Sequence, residues 1–191
     1  MPAAPPPHAL LLGALLAAGA LAPGCAKSSR PSTVPLAAMR PYEGPDRQNF
    51  DDSIDPAVLG LTFYPSDYRR DQRFFARAQT AHGVARMRIV TISVDSSREG
   101  SPYRLQLRRV GEPLKHYDEA EAVEVEVRPG SPSYSLCRQY EAKLSNRTGL
   151  AMWKRFRQHD EPSTHFYLAP DNDEAVAAAR EALALQEVSG Q

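Results

Sequence analysis

Apolar and polar positions follow three regimes along the chain. Ala9 to Gly24 is an uncharged run rich in Leu and Ala, closed by Cys25. Residues 26–56 hold few large apolar side chains, and Pro31, Pro35, Pro41, Pro45 and Pro56 interrupt them with Ser28, Ser29, Ser32, Gly44, Asp51 and Asp52 between. Such a stretch buries little apolar area, so it reads as an extended arm. Tyr42, Phe50 and Ile54 are its exceptions, and they offer a way to lay the latter part of the arm on a neighbouring surface. From Ala57 onward short periodic runs take over, and residues 57–191 read as a single globular domain large enough for one substantial core.

Alternation with period two dominates the middle of this domain. Leu59, Leu61 and Phe63 alternate with Gly60 and Thr62 up to Pro65 and predict a strand. Arg86 to Val94 is rich in β-branched residues, as expected of a strand covered on much of both faces. Tyr103, Leu105 and Leu107 alternate with Arg104, Gln106 and Arg108, and Val123, Val125 and Val127 with Glu124, Glu126 and Arg128. Each of these two strands has one dry and one wet face, the signature of an antiparallel sheet with a solvated side. Residues 96–102 supply the turn before the first of them, and Pro129-Gly130 ends the second. Thr164 to Ala169 predicts a last strand.

Asp67 to Thr80 reads as a helix with Tyr68, Phe74, Phe75 and Ala78 on its apolar side. Asp171 followed by Glu174 resembles a capping box opening a C-terminal helix, with Val176, Ala179, Ala182, Leu183 and Val188 as its narrow apolar face. Tyr134 to Phe156 fits both periods. Leu136, Tyr140 and Leu144 suit a helix, whereas Tyr134, Leu136, Tyr140, Ala142 and Leu144 suit a strand; we read strands, with Asn146-Arg147-Thr148-Gly149 as a hairpin loop joining residues 142–145 to 150–153. A helix over Leu150 to His159 is the alternative. The expected fold class is therefore α+β, a mainly antiparallel β-sheet of five to seven strands with a C-terminal helix packed on it.

The first regime carries the clearest functional signal. An apolar run of this length is shorter than the roughly 20 residues a lasting membrane span requires, so it reads as a signal peptide, residues 1–24, that is removed. Leu21-Ala22-Pro23-Gly24-Cys25 resembles the lipobox of bacterial lipoprotein precursors, with Leu21 one place further from the cysteine than is usual. The resemblance covers only these first 25 or so residues. It implies that the Cys25 thiol receives diacylglycerol and becomes the new N-terminus, that residues 25–56 are a lipidated tether, and that Ala26 in place of Asp directs the chain to the outer membrane, facing the periplasm. The plainer reading is an ordinary signal cut after Ala20 or Ala22, which leaves Cys25 a free thiol.

The remaining chemistry is sparse. With Cys25 acylated, Cys137 stands alone, so no internal disulfide forms, and it reads as a small buried hydrophobe. Five His residues show no metal-ligand spacing, and no cofactor, metal or catalytic set is expected. His159, with Asp160, Glu161 and His165 close behind, is the best local cluster for a metal or an acid/base pair, the latter in a small envelope hydrolase. Charge is balanced at 23 basic and 23 acidic residues, which removes long-range steering by net charge. Locally, Arg138, Lys143, Arg147, Lys154, Arg155 and Arg157 gather with Tyr140 and Trp153, a candidate surface for an envelope protein or an anionic polymer; Asp118, Glu119, Glu121, Glu124 and Glu126 form an opposing acidic patch. Export argues against nucleic acid as the partner. A non-enzymatic binding or scaffolding lipoprotein is the leading expectation, and the hydrolase the alternative.

Overall fold

The computed structural model describes residues 35–61, 66–116 and 121–189. Cys25 and its leader lie outside these residues, as do Thr62 to Pro65, Asp118 and Glu119. The elements in chain order are helix α1 (Pro45–Asn49), strand β1 (Ser53–Ile54), helix α2 (Gln72–Thr80), strands β2 (Gly83–Val94), β3 (Tyr103–Arg109) and β4 (Ala122–Val127), helix α3 (Tyr134–Leu144), strands β5 (Thr148–Gln158) and β6 (Glu161–Pro170), and helix α4 (Asp173–Ser189).

The strands form one sheet in the order β1-β6-β5-β2-β3-β4, antiparallel throughout except that β1 runs parallel to β6. Period two places its side chains on two separate cores. Ala85, Met87, Ile89, Leu105, Leu107, Val125, Trp153, Phe166 and Leu168 meet Cys137 and Leu144 of α3 on one face. Val84, Leu150, Met152, Phe156, Tyr167 and Ala169 meet Phe74 and Ala78 of α2 and Ala175, Ala178, Ala179 and Ala182 of α4 on the other. The small alanine face of α4 lets the helix lie close to the sheet. Where β5 and β6 are covered on both sides they are buried continuously, from Gly149 to Lys154 and from His165 to Pro170, whereas the β3 and β4 residues between their core positions stay wet. The architecture is thus α+β, with a mostly antiparallel sheet and the C-terminal helix packed on it.

The sequence reading needs correction at several points. Tyr134–Leu144 is a helix, so the hairpin between residues 142–145 and 150–153 does not exist; β5 pairs instead with β2 and β6. Non-helical backbone at Tyr140 (φ −127°, ψ 22°) breaks the 3.6-residue period there, which is why the spacing imitated a strand. Pro56–Leu59 is a 3₁₀ turn and not the start of a strand, because Asp55 accepts the Ala57 N–H at 2.9 Å and Gly60 ends the turn at φ 73°. Helix α2 begins at Gln72, capped by Asp71, which accepts the N–H groups of Arg73 and Phe74 at 2.9 and 3.1 Å. Asn172 and not Asp171 caps α4, accepting the Ala175 N–H at 2.8 Å, while Asp171 pairs with Arg86 at 2.8 Å.

Residues 35–56 belong physically to the body. Met39, Phe50 and Ile54 are buried, and Arg157 of β5 is bonded through its backbone to Arg40 and Tyr42. The strap then crosses to the far edge of β6, where Asp52 and Asp55 donate N–H groups to Phe166 and Leu168 and β1 is formed. Its fastening includes Arg77, which is buried, donates to the Asn49 carbonyl at 2.6 Å and lies 3.7 Å over the Tyr167 ring.

Candidate functional site

Two places concentrate polar chemistry. The first lies where the strap meets β6. Asp52 is carried onto β6 by the strap, and its carboxylate oxygens sit 2.9 and 3.1 Å from His165 Nδ1. Tyr42 stacks on the same imidazole at 3.5 Å with the ring planes 7° apart, and donates its own hydroxyl to the Phe50 carbonyl. His165 Nε2 faces Gln158 Oε1 at 3.3 Å, and that oxygen also accepts from Arg128 at 3.0 Å. Burial raises the Asp52 carboxyl above its usual range, against the opposing effect of the His165 hydrogen bond. Both ring nitrogens of His165 are thus engaged within the cluster, Nδ1 by Asp52 and Nε2 by Gln158.

Beside this pair the curled sheet brings β4 alongside β6, and a cleft of about 290 Å³ opens there, lined among others by Glu124, Glu126, Arg128, Glu161, Ser163 and His165. Ser163 Oγ is buried without a hydrogen-bond partner and so is not coupled to His165 as an activated nucleophile would be. His159 does not join this group. It is exposed and, with Asp160, forms the two-residue turn between Gln158 and Glu161; φ values of 52° and 59° mark the primed turn that matches the twist of a hairpin. Of the two histidines singled out by sequence, the fold buries one in a polar cluster and spends the other on a turn.

The aromatic and basic set is likewise divided. Trp153 is 5% exposed, its indole packed over Gly83, which faces it across the β2–β5 ladder. Lys154 points to the opposite face of β5, where it is buried, binds Asp46 at 2.8 Å and lies 5.3 Å over Phe156. A surface containing both residues is therefore not present, because neighbours in a doubly buried strand face different cores. Arg155 and Arg157 are half-buried along β5. Arg138, Lys143 and Arg147 remain exposed at α3 and the loop after it, with half-buried Tyr140 under the Lys143 ammonium at 5.4 Å; Arg147 donates to the Lys143 carbonyl at 3.3 Å.

The second place was not singled out by sequence. Arg86 and Arg88 of β2 and Arg104 and Arg108 of β3 are all exposed on the solvated side of the sheet. Arg86 is neutralised by Asp171 at 2.8 Å and Arg104 by Glu126 at 3.3 Å. Arg88 and Arg108 stand directly opposite each other in the ladder, flanked by Thr148 on β5 and Ala122 on β4, and among the described residues neither has a carboxylate within ion-pair distance. Arg147, immediately before Thr148, adjoins this row, since its carbonyl accepts the Ile89 N–H. The alternation of Arg104 and Arg108 was legible; their pairing with β2 was not, because a bulge between Ile89 and Thr91 shifts the register.

Comparison with protein-family models, with curated proteins and with solved structures finds no match for this chain. Among the described residues, no helix is long and apolar enough to cross a membrane, and no group of three or more His, Cys, Asp or Glu side chains converges as a metal site.

Proposed function

We propose that this chain is a cell-envelope lipoprotein, exported, acylated on Cys25 and held at the outer membrane facing the periplasm, with a non-enzymatic binding or scaffolding body. The observation that carries the reading is the place of Cys25 between an uncharged apolar run and a body whose first described residue, Pro35, follows ten positions later. The polar chemistry of the body agrees with binding. The buried His165 imidazole serves to fasten the strap through Asp52 and Tyr42, and the exposed basic groups Arg88, Arg108, Lys143 and Arg147 are offered to an envelope protein, an anionic polymer or the membrane. Replacing Cys25 by Ser in the native cell tests the anchor: the chain is expected to leave the mature membrane fraction, and unchanged processing and fractionation would defeat the proposal.

A small hydrolase is the second reading, favoured by one observation, the Asp52–His165 pair at the edge of a cleft that also holds Ser163. Ser163→Ala distinguishes the two. Loss of a hydrolytic activity with the fold intact would support the enzyme, whereas the binding account expects no activity to be lost.

A further inference from the structure

We propose that the Arg88–Arg108 row is a docking face for the phosphate groups of anionic phospholipids in the membrane that anchors the chain. The inference rests on the tethered-lipoprotein reading and gives its exposed face a ligand. Four arginines point outward from β2 and β3, and the fold neutralises two of them with carboxylates. Among the described residues the other two have no carboxylate partner, and they are placed across from one another, where like charges are unfavourable in a ladder. Arginines at facing positions of one ladder can offer paired N–H donors to phosphate oxygens. Arg147 and Lys143, exposed at the adjoining loop and the end of α3, extend the same positive edge.

The sheet also has a direction. Glu124 and Glu126 occupy the wet side of β4 opposite Gln106 and Arg104, toward the other end of the face, so an anionic surface attracts one end and repels the other. The ten residues from Cys25 to Pro35 span at most about 35 Å, and the strap they lead into meets the body at the Arg157 end of β5, whereas Thr148, which flanks Arg88, is at the other end of that strand. A body anchored this way brings its Arg88 end to the headgroup layer by tipping toward it on the tether, whereas a soluble anion has to be captured from solution.

The test uses the full lipidated chain reconstituted into phosphatidylcholine vesicles, with or without phosphatidylglycerol. Flotation is read first, and then labelling of individual arginines by phenylglyoxal is measured by peptide mass spectrometry. Labelling of Arg88, Arg108 and Arg147 is expected to fall several-fold when phosphatidylglycerol is present, with exposed Arg70, beside the strap at the β6 edge of the body, as the unprotected control. In the R88Q/R108Q chain the protection of Arg147 should disappear, and since both side chains are exposed the fold should be retained. A chain that floats yet labels equally in both vesicles overturns the docking and leaves the tether standing. A chain that floats with neither overturns the tether and the docking with it. Protection by millimolar inorganic phosphate in phosphatidylcholine vesicles alone would assign a free-anion site and overturn the lipid assignment.

Discussion

Gly83→Ala is a sharp test of the packing that removes Trp153 from the surface. A Cβ built at Gly83 would lie 2.2, 2.5 and 2.6 Å from three carbons of the indole, closer than carbon atoms approach without something moving. The neighbour that has to move is a ring 5% exposed, locked between β2 and the core on the α3 side. Overpacking of this kind costs about 1–3 kcal/mol, and the upper end applies where a rigid aromatic has no free space to rotate into. About 3 kcal/mol corresponds to a fall in Tm of roughly 6–12 °C for a domain of this size. Trp153 is the chain's single tryptophan, so urea unfolding followed by its emission reports directly on the perturbed site. The variant is expected to show a lower midpoint and a red-shifted native emission. Pairing it with Trp153→Leu, followed by circular dichroism, should return at least about 1 kcal/mol relative to additivity. A Gly83→Ala protein within about 0.5 kcal/mol of the parent and with unchanged emission would refute the close approach, and with it the assignment of Trp153 to the core.

Other expectations follow from single contacts. Gly149→Ala would bring a Cβ within 2.7 Å of a Leu168 methyl and 2.8 Å of the Ala169 carbonyl oxygen, a backbone atom that cannot step aside; thermal unfolding should show a loss of about 3 kcal/mol or more. Asp52→Asn removes the carboxyl partner of buried His165 and should cost about 2–3 kcal/mol and raise amide exchange across residues 40–54, while unchanged exchange would show that the strap is held without it. Burial pushes the Cys137 thiol up to about 12, so a thiol reagent should modify it only at the rate of unfolding, and rapid labelling in the native state would contradict the α3 packing. Burial, with Lys154, Lys115 and Arg155 nearby, lowers His82 from 6.5 to about 4. Between those values the unfolded chain binds the extra proton, so stability should fall as pH drops through that window. Because the ring is only half-buried the loss is on the order of 1–2 kcal/mol, and His82→Gln should flatten the slope.

The parts of the fold that could be read in advance were those with one wet face. β3 and β4 alternate strictly, and their residues 103–109 and 122–127 emerge nearly as the pattern predicts. β5 is buried on both sides and its alternation is masked, while the irregular turn at Tyr140 gave α3 a misleading period. Asp52 and Tyr42 escaped notice as partners of His165 for a different reason: more than a hundred residues separate them from it in sequence, and only the path of the strap brings them together. The same holds for Arg88 and Arg108, whose juxtaposition depends on a bulge that no local pattern announces. Composition placed the basic and aromatic residues of β5 together; the pleat then sent Trp153 and Lys154 to opposite cores.

Mass spectrometry of the N-terminal peptide from protein made in its native cell tests the functional account most directly. A chain beginning at Cys25, its sulfur carrying an acylated glyceryl group, is the expected result. A mature terminus at another residue, or an unmodified Cys25 thiol, would contradict the anchored placement on which the proposed role of the body depends.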